Sequence, residues 1–298
     1  MNKKLSKTMI RIMGLFCVLV VVGMMFGCSK PEGDKEYQYK FPAWTPDGKI
    51  VAVRRTIVTY PDGGGFGGGG YGGYEEYHLV KFNDDGSGEQ TIKEVGSDSG
   101  YISVSTSGNY IGYAVNNYID VIDWSGNQVN QIQTGVDGDA EYFDWSPSEN
   151  KIVLERNNNS SIISVYDIPS QTFVDYQIGD NPSWKFNQNI VYQSYDGSNF
   201  LMNYIDMVNG LVVTSNINMN DKHYPQFLPN QDRVILFSRA GIHYNYDFNN
   251  NLTVTTNDQL TDFWRVGINF SGSKIIYDVE HKHIGVVNID GTNKRQIK

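Results

Sequence analysis

A segment of about thirteen residues recurs six times along this chain. Each copy has an aromatic or apolar residue, a tight polar turn and a β-branched strand, most clearly in 41–53 and again in 142–154. The residue four before the turn glycine, or its equivalent, serves as the anchor of each copy. The anchors are Trp44, Val104, Trp145, Trp184, Phe227 and Ile268. Their spacing is 60, 41, 39, 43 and 41 residues, and a period near 40 with several short strands per unit is typical of propeller blades.

The strand pattern inside each unit supports the same fold. After the turn comes a second strand, such as 49–56, then a third strand that ends in Asp, Asn or Gly, then a fourth such as 128–133 or 172–178. Apolar and polar residues alternate, and Asp-Gly, Ser-Gly and Asn-Gly pairs mark hairpins. The sequence therefore predicts an all-β chain, a six-bladed β-propeller of four-stranded antiparallel blades. We interpret Trp44, Trp145, Trp184 and Trp264 as packing between blades.

The amino terminus has the order of an export signal. Four basic residues in the first eleven precede an apolar run, 12–26, and then Gly27-Cys28-Ser29. Residues 25–28 resemble the cleavage box of bacterial lipoproteins, in which the cysteine becomes the lipid-bearing first residue. We predict a signal peptide over 1–27, a lipidated tether over 28–40 and the propeller over 41–298. An uncleaved anchor helix is the alternative.

Charge and cysteine content narrow the possible partners. Without the four basic residues of the leader, 20 Lys and Arg face 33 Asp and Glu, a net charge of −13. Such an acidic chain is not expected to bind nucleic acid. The cysteines are Cys17 and Cys28, so the predicted mature domain has no disulfide and must be stabilised by its core.

The repeats resemble the TolB-type, WD40-like propeller repeat, whose pattern is approximately Pro-x-Trp-Ser-Pro-Asp-Gly-Lys. Residues 44–53 follow it closely, 145–154 follow it well, and 284–292 match its second half. The resemblance implies an envelope protein that binds a partner, but the α/β domain that precedes the family's namesake propeller is missing between Ser29 and Lys40. Some relatives cap serine peptidases, yet this sequence contains no Gly-x-Ser-x-Gly nucleophile turn.

A glycine-rich insertion, 62–73, lengthens the first repeat between its second and third strands. No helical pattern follows it, which disfavours phosphate binding. Its aromatic residues could instead form an arm that contacts a partner, and an insertion without function is the alternative. The candidate partner-binding residues are Phe66, Tyr71, Tyr74 and Tyr77.

Histidines provide the competing hypothesis. His281 and His283 flank Lys282, and His223 opens the fifth repeat; two histidines at i and i+2 on a strand would share a face and could hold a metal. One related propeller lyase family cleaves pectic oligosaccharides with a histidine-bound metal, so a metal-dependent, carbohydrate-active enzyme is the alternative function. Ordinary turn residues are the simpler interpretation.

We therefore expect a non-catalytic lipoprotein, exported and anchored in the cell envelope through Cys28, with no catalytic residues and no cofactor. Its propeller would bind or scaffold an envelope protein or glycan at the mouth formed by loops between blades. Ser29 after the cysteine resembles outer-membrane sorting, on the periplasmic or surface side, whereas a Gram-positive cell would place it on its single membrane. Residues 294–298 could supply the last outer strand, or 37–40 could pair across the closure.

Overall fold

The computed structural model describes residues 33–60, 73–97, 99–135, 142–157, 160–184, 186, 188–219, 223–229, 233–238, 243–247, 253–256 and 263–298. Within these ranges it contains twenty-four strands arranged in six four-stranded sheets. No helix in the described ranges has the length and apolar character needed to cross a membrane.

Each sheet consists of four consecutive strands in sequential order, and every pairing with a determined register is antiparallel. The first sheet contains β1 (Asp34–Trp44), β2 (Ile50–Thr59), β3 (Gly73–Phe82) and β4 (Gln90–Val95). The second contains β5 (Ser99–Val104), β6 (Ile111–Val115), β7 (Tyr118–Ile122) and β8 (Gln128–Gln133). The third contains β9 (Phe143–Trp145), β10 (Lys151–Asn157), β11 (Ser161–Asp167) and β12 (Thr172–Ile178).

The remaining sheets follow the same plan. The fourth contains β13 (Asp180–Ser183), β14 (Asn189–Tyr195), β15 (Phe200–Asp206) and β16 (Leu211–Met219). The fifth contains β17 (His223–Phe227), β18 (Arg233–Ser238), β19 (His243–Asp247) and β20 (Thr253–Thr256). The sixth contains β21 (Phe263–Ile268), β22 (Lys274–Val279), β23 (His283–Asn288) and β24 (Arg295–Gln296). The all-β prediction and the fourth strands predicted at 128–133 and 172–178 are confirmed.

The polar turn of the repeat explains why each first hairpin forms. Thr45 donates its backbone N–H to the Lys49 carbonyl at 2.9 Å, and Gly48 donates to the Thr45 carbonyl at 3.0 Å. The Thr45 hydroxyl also accepts the Lys49 N–H at 2.8 Å. Gly48 has a φ of 78°, a conformation in which glycine carries no Cβ penalty. Glu149 adopts the same left-handed conformation in the third sheet, with a φ of 59°.

Hydrophobic clusters join the sheets face to face. One cluster joins the first and second sheets, and others join the second to the third, the third to the fourth, the fourth to the fifth and the fifth to the sixth. A further cluster joins the sixth sheet to the first, through residues such as Trp44, Ile50 and Ile284. Burying each aliphatic side chain of this kind contributes about 1.5–3 kcal/mol.

Three of the four predicted packing tryptophans lie in these clusters. Trp44, Trp145 and Trp184 are all buried, each between two sheets. The side chain of Trp264 lies outside the described part of the structure. The anchor position of the repeat is therefore a core position, and the packing interpretation is confirmed at these three residues.

The first strand begins earlier than the sequence indicated. We predicted a tether over 28–40 and a propeller beginning at residue 41, but β1 already begins at Asp34. The charged composition of 34–36 suggested a linker, because such residues rarely fill a core. In an edge strand, however, alternate side chains face solvent while the backbone still pairs, so charge does not exclude pairing.

The chain divides into two compact units, residues 1–36 with 57–74 and residues 37–56 with 75–298. In the smaller unit the described residues include Gly33 and Gly73, whose backbones approach Thr59 and Val58 so closely that a Cβ would lie within 3 Å of a carbonyl oxygen. The rings of Tyr60 and Tyr74 lie 6.3 Å apart. The larger unit contains the six hydrophobic clusters that pack the sheets together.

Candidate functional site

The structure describes some of the predicted site residues and not others. Cys28, Phe66 and Tyr71 lie outside the described residues, and the His223 side chain is also outside them although its backbone begins β17. Tyr74 and Tyr77 lie on β3, within the smaller and the larger unit respectively. His281 lies in the turn between β22 and β23, and His283 is the exposed first residue of β23.

The histidine pair does not have the geometry that we expected. His281 is a turn residue with a φ of 55°, so it does not share a strand face with His283. Its Nδ1 lies 3.2 Å from the Asp278 carboxylate, and its ring lies 5.4 Å from that of Phe41. Within the described residues, no group of three His, Cys, Asp or Glu side chains is placed to hold a metal ion.

The structure instead brings together six residues that occupy the same position in the six repeats, a position that the sequence analysis did not consider. The residue three before each anchor lies on, or directly before, the first strand of its sheet, and from the second sheet to the sixth the first strands of successive sheets contact one another. We call these six residues the inner cluster. They are Phe41, Tyr101, Tyr142, Asn181, Tyr224 and Arg265.

Arg265 is the centre of the aromatic contacts in the inner cluster. Its guanidinium carbon lies 4.0 Å from the ring centre of Tyr142, 5.4 Å from Tyr101 and 5.5 Å from Phe41. A desolvated contact between a cation and an aromatic ring contributes about 2 kcal/mol. The Nε and Nη1 atoms of Arg265 are buried without a hydrogen-bond partner among the described residues. The rings hold the cation, while these two donors stay unsatisfied within the described residues.

Asn181 has the same property with a neutral side chain. It is 3% exposed, and neither its Nδ2 nor its Oδ1 has a hydrogen-bond partner in the described structure. Its backbone is left-handed, with a φ of 54°, and its N–H donates to the buried Glu155 carboxylate at 3.2 Å. Leaving a buried polar group unsatisfied costs about 1–3 kcal/mol. The position is therefore held at a cost in stability.

These two side chains line one cavity with Tyr101, Tyr142 and Tyr224, which are also inner-cluster residues. The cavity has a volume of about 10 Å³, room for one water-sized group. Burial raises the pKa of the Tyr101 phenol, the Asp144 charge raises it further and Arg265 opposes both, so this tyrosine is a neutral hydrogen-bonding group at physiological pH. The cavity can accept the tip of a polar group and is too small for a whole small molecule.

A second cavity lies where the first and sixth sheets meet, and it brings together Tyr77 and His281 from the predicted sets. We call it the seam groove; its volume is about 270 Å³. Tyr39 donates its N–H to the Lys282 carbonyl at 2.8 Å, and Phe41 donates its N–H to the Asp278 carboxylate at 3.3 Å. The groove is lined by Gln38, Lys40, Phe41, Arg55, Tyr77, Glu280, His281 and Lys282.

Arg55 is fixed in the seam groove by neighbours on both sides. Its guanidinium contacts both carboxylate oxygens of Glu75, and its Nη1 donates to the Gln38 side-chain oxygen at 3.0 Å. The Tyr77 hydroxyl donates to Glu75 at 2.7 Å. Hydrogen bonds from Arg55 and Tyr77 lower the pKa of the Glu75 carboxyl to about 2, so this ion pair persists in mildly acidic conditions.

Backbone strain is concentrated beside the seam groove. Phe41, Glu280 and His281 have φ values of 55°, 51° and 55°, although none is a glycine. Glu280 and His281 are the central residues of a turn closed by the Lys282 N–H and the Val279 carbonyl at 3.0 Å. Positive φ at both central positions is the pattern of a type I′ turn, which normally favours Asn-Gly. These three residues therefore keep side chains next to a cavity although their backbone conformation favours glycine.

The sheets and their face-to-face packing define the class of the molecule: it is a β-propeller built of four-stranded antiparallel sheets. Comparison with solved structures agrees. A putative TolB from Agrobacterium tumefaciens superimposes with a TM-score of 0.61 over 73% of this chain and 86% of that chain, at 14% identity. The tricorn protease superimposes with a TM-score of 0.57 over 91% of this chain, at 11% identity, and this chain spans 35% of its length.

The structural likeness establishes the fold alone. No protein family model matches the sequence, and no curated protein matches it either. In all, 1187 chains of solved structures match, so the fold is too widely shared to assign an activity. Any statement about function must therefore come from the inner cluster and the seam groove.

Proposed function

We propose that this protein is a non-catalytic, lipid-anchored binding module of the cell envelope, whose six sheets are the blades of one closed propeller and whose inner cluster grips a polar group of a protein or glycan partner. The hydrophobic cluster that joins the first and sixth sheets supports closure at six blades. The export signal and the lipoprotein-like box around Cys28 support the anchor.

One observation carries the binding role. Arg265 and Asn181 line the same cavity, and each keeps buried polar atoms without a hydrogen-bond partner among the described residues. A purely structural position would favour apolar side chains here, since unsatisfied groups destabilise the fold. A ligand oxygen in the cavity would satisfy the donors of both residues at once. The small cavity volume suits a carboxylate or carbonyl at the end of a larger partner.

The decisive experiment compares Arg265→Leu with wild type, both as full-length chains in detergent. Each is used to capture partners from envelope extracts, and quantitative mass spectrometry detects what is captured. We expect the variant to lose the captured partner while its thermal midpoint stays constant or rises, because the substitution removes unsatisfied donors. Arg156→Leu is the matched control: Arg156 also lies 4.2 Å from an aromatic ring, that of Phe173, but its guanidinium pairs with Asp175 and Thr134.

Two outcomes would reject the binding role. Equal capture by wild type and Arg265→Leu would show that the inner cluster does not hold the partner. A lower thermal midpoint for Arg265→Leu, with loss of capture no greater than for Arg156→Leu, would assign Arg265 to stability instead.

The anchor has a separate test. Cys28→Ser should abolish incorporation of labelled fatty acid and move the protein from the membrane fraction to the soluble fraction. Unchanged labelling in that variant would remove the lipoprotein part of the proposal and leave the binding role untouched.

A further inference from the structure

The seam groove combines three kinds of chemistry on one cavity wall. Lys40, Arg55 and Lys282 contribute positive charge, Glu280 contributes a carboxylate that is 62% exposed, and Phe41 and Tyr77 contribute aromatic rings. The Lys40 ammonium lies 5.0 Å from the Phe41 ring centre and 5.2 Å from that of Tyr77. Three cations in one cavity are notable in a chain whose net charge is −9.

The exposed Lys282 points to a ligand with a negative group. The Lys282 ammonium is 51% exposed, and its contact with Glu280 is long, at 3.7 Å. Exposed pairs of this kind contribute about 0–1 kcal/mol, so a ligand carboxylate can compete for the lysine at little cost. Arg55 differs, because Glu75 and Gln38 already hold its guanidinium; the Arg55–Glu75 pair is neutral overall, so Arg55 contributes rigidity to the wall.

The Glu280 carboxylate, a hydrogen-bond acceptor, restricts which negatively charged ligand fits the seam groove. A simple anion such as phosphate would be repelled by the Glu280 carboxylate, which faces the same cavity. A ligand that carries hydroxyl groups beside its negative group would use that carboxylate as a hydrogen-bond acceptor. The rings of Phe41 and Tyr77 would meet the apolar C–H surface of the same ligand.

We propose that the seam groove binds an acidic sugar, a pyranose ring that carries a carboxylate. The carboxylate lies toward Lys40 and Lys282, ring hydroxyls donate to Glu280, and the C–H surface contacts Phe41 and Tyr77. A cavity of about 270 Å³ accommodates one such ring with its substituents. Phe41 belongs to both the inner cluster and the seam groove, but Arg265 does not line the groove, so Arg265→Leu should bind the sugar as wild type does.

The test uses the full-length chain in detergent and saturation-transfer NMR with D-glucuronate as the probe. We expect saturable binding of glucuronate, about tenfold weaker binding of D-glucose because a charge-assisted hydrogen bond is lost, and no competition by inorganic phosphate. Absence of glucuronate binding, or equal binding of glucose, would overturn the proposal. Competition by phosphate or by a diglutamate peptide at the same concentration would also overturn it.

Single substitutions locate the site. Lys282→Gln and Glu280→Gln should each weaken glucuronate binding about tenfold. Lys49→Gln is the matched control, since Lys49 and Asp47 form an equally exposed pair, 3.4 Å apart, on a different turn. Stronger binding after Glu280→Gln would indicate a site for plain anions, and equal effects of Lys282→Gln and Lys49→Gln would indicate general surface charge; both results contradict an acidic-sugar site.

Discussion

Two junctions in this propeller share one backbone device and differ in side-chain chemistry. At the first junction, between the sixth sheet and the first, the buried Asp278 carboxylate accepts the N–H of Phe41. At the second, between the third sheet and the fourth, the buried Glu155 carboxylate accepts the N–H of Asn181. Both acids stand ten residues after their own anchors, Ile268 and Trp145, and both residues that donate the N–H are followed by a proline. Phe41 and Asn181 have φ values of 55° and 54°.

The difference lies in what each left-handed residue does with its side chain. Phe41 packs against His281 and lies near Arg265, so its ring has neighbours on both cavities. Asn181 keeps two amide atoms without a hydrogen-bond partner in the described structure. The repeat therefore determines the backbone at both junctions, while the side chains have diverged, one toward packing and one toward an unsatisfied polar position.

The largest effect is expected from removing the carboxylates. Asp278→Ala should destabilise the fold by about 3 kcal/mol and Glu155→Ala by about 2 kcal/mol, because each leaves a buried N–H unsatisfied and Asp278 also contacts His281. Urea unfolding of the full-length chain in detergent would measure both. If Glu155→Ala proved more destabilising than Asp278→Ala, the contact between Asp278 and His281 would not account for a difference between the two junctions.

A matched pair of glycine substitutions should give opposite signs. Phe41→Gly should destabilise by about 2 kcal/mol, because lost ring packing outweighs the relief of a positive φ. Asn181→Gly should stabilise by about 0.5–1 kcal/mol, because it removes unsatisfied polar atoms and the same backbone strain. Thermal and urea unfolding test both; loss of stability in Asn181→Gly would show that its amide is satisfied in solution.

The smallest effect is expected at His281, which the second junction lacks. His281→Asn should cost about 0.5–1 kcal/mol, because asparagine tolerates positive φ but loses the ring contact with Phe41 and the imidazole contact with Asp278. The measurement is again the urea midpoint, with Asn116→Gly as a control for substitution at another positive φ, 49°. A change in the urea midpoint within error would show that the His281 contacts do not stabilise the fold.

Much of the fold could be predicted because it repeats. The anchor spacing gave the strand pattern, since a buried anchor and a tight turn are needed in each sheet regardless of its neighbours. The sequence did not reveal that β1 begins at Asp34, within the stretch predicted as a tether, because the exposed side chains of an edge strand have the same composition as a linker. Of the two pairings considered at the ends of the repeats, the structure has residues 295–296 as β24, paired with β23, and places β1 in the sheet of β2.

The candidate sites were harder to predict. The inner cluster occupies one repeat position, where four residues are aromatic like many others in these strands, and the two polar residues, Asn181 and Arg265, follow no sequence pattern. Counting three back from each anchor would have found them. The seam groove joins Lys40 to Lys282, residues at opposite ends of the chain, so only the packing of the sixth sheet on the first creates it. Tyr77 and His281 were noticed separately and for other reasons.

The continuity of each sheet also affects how the protein can be made. Because every sheet is formed from four consecutive strands, it can pair without waiting for the rest of the chain to fold. The contact of the sixth sheet with the first is different, since it joins residues such as Phe41 and Asp278, 237 positions apart. Until that contact forms, the apolar face of the first sheet is exposed during synthesis, and the groove that it completes is the last feature of the molecule to appear.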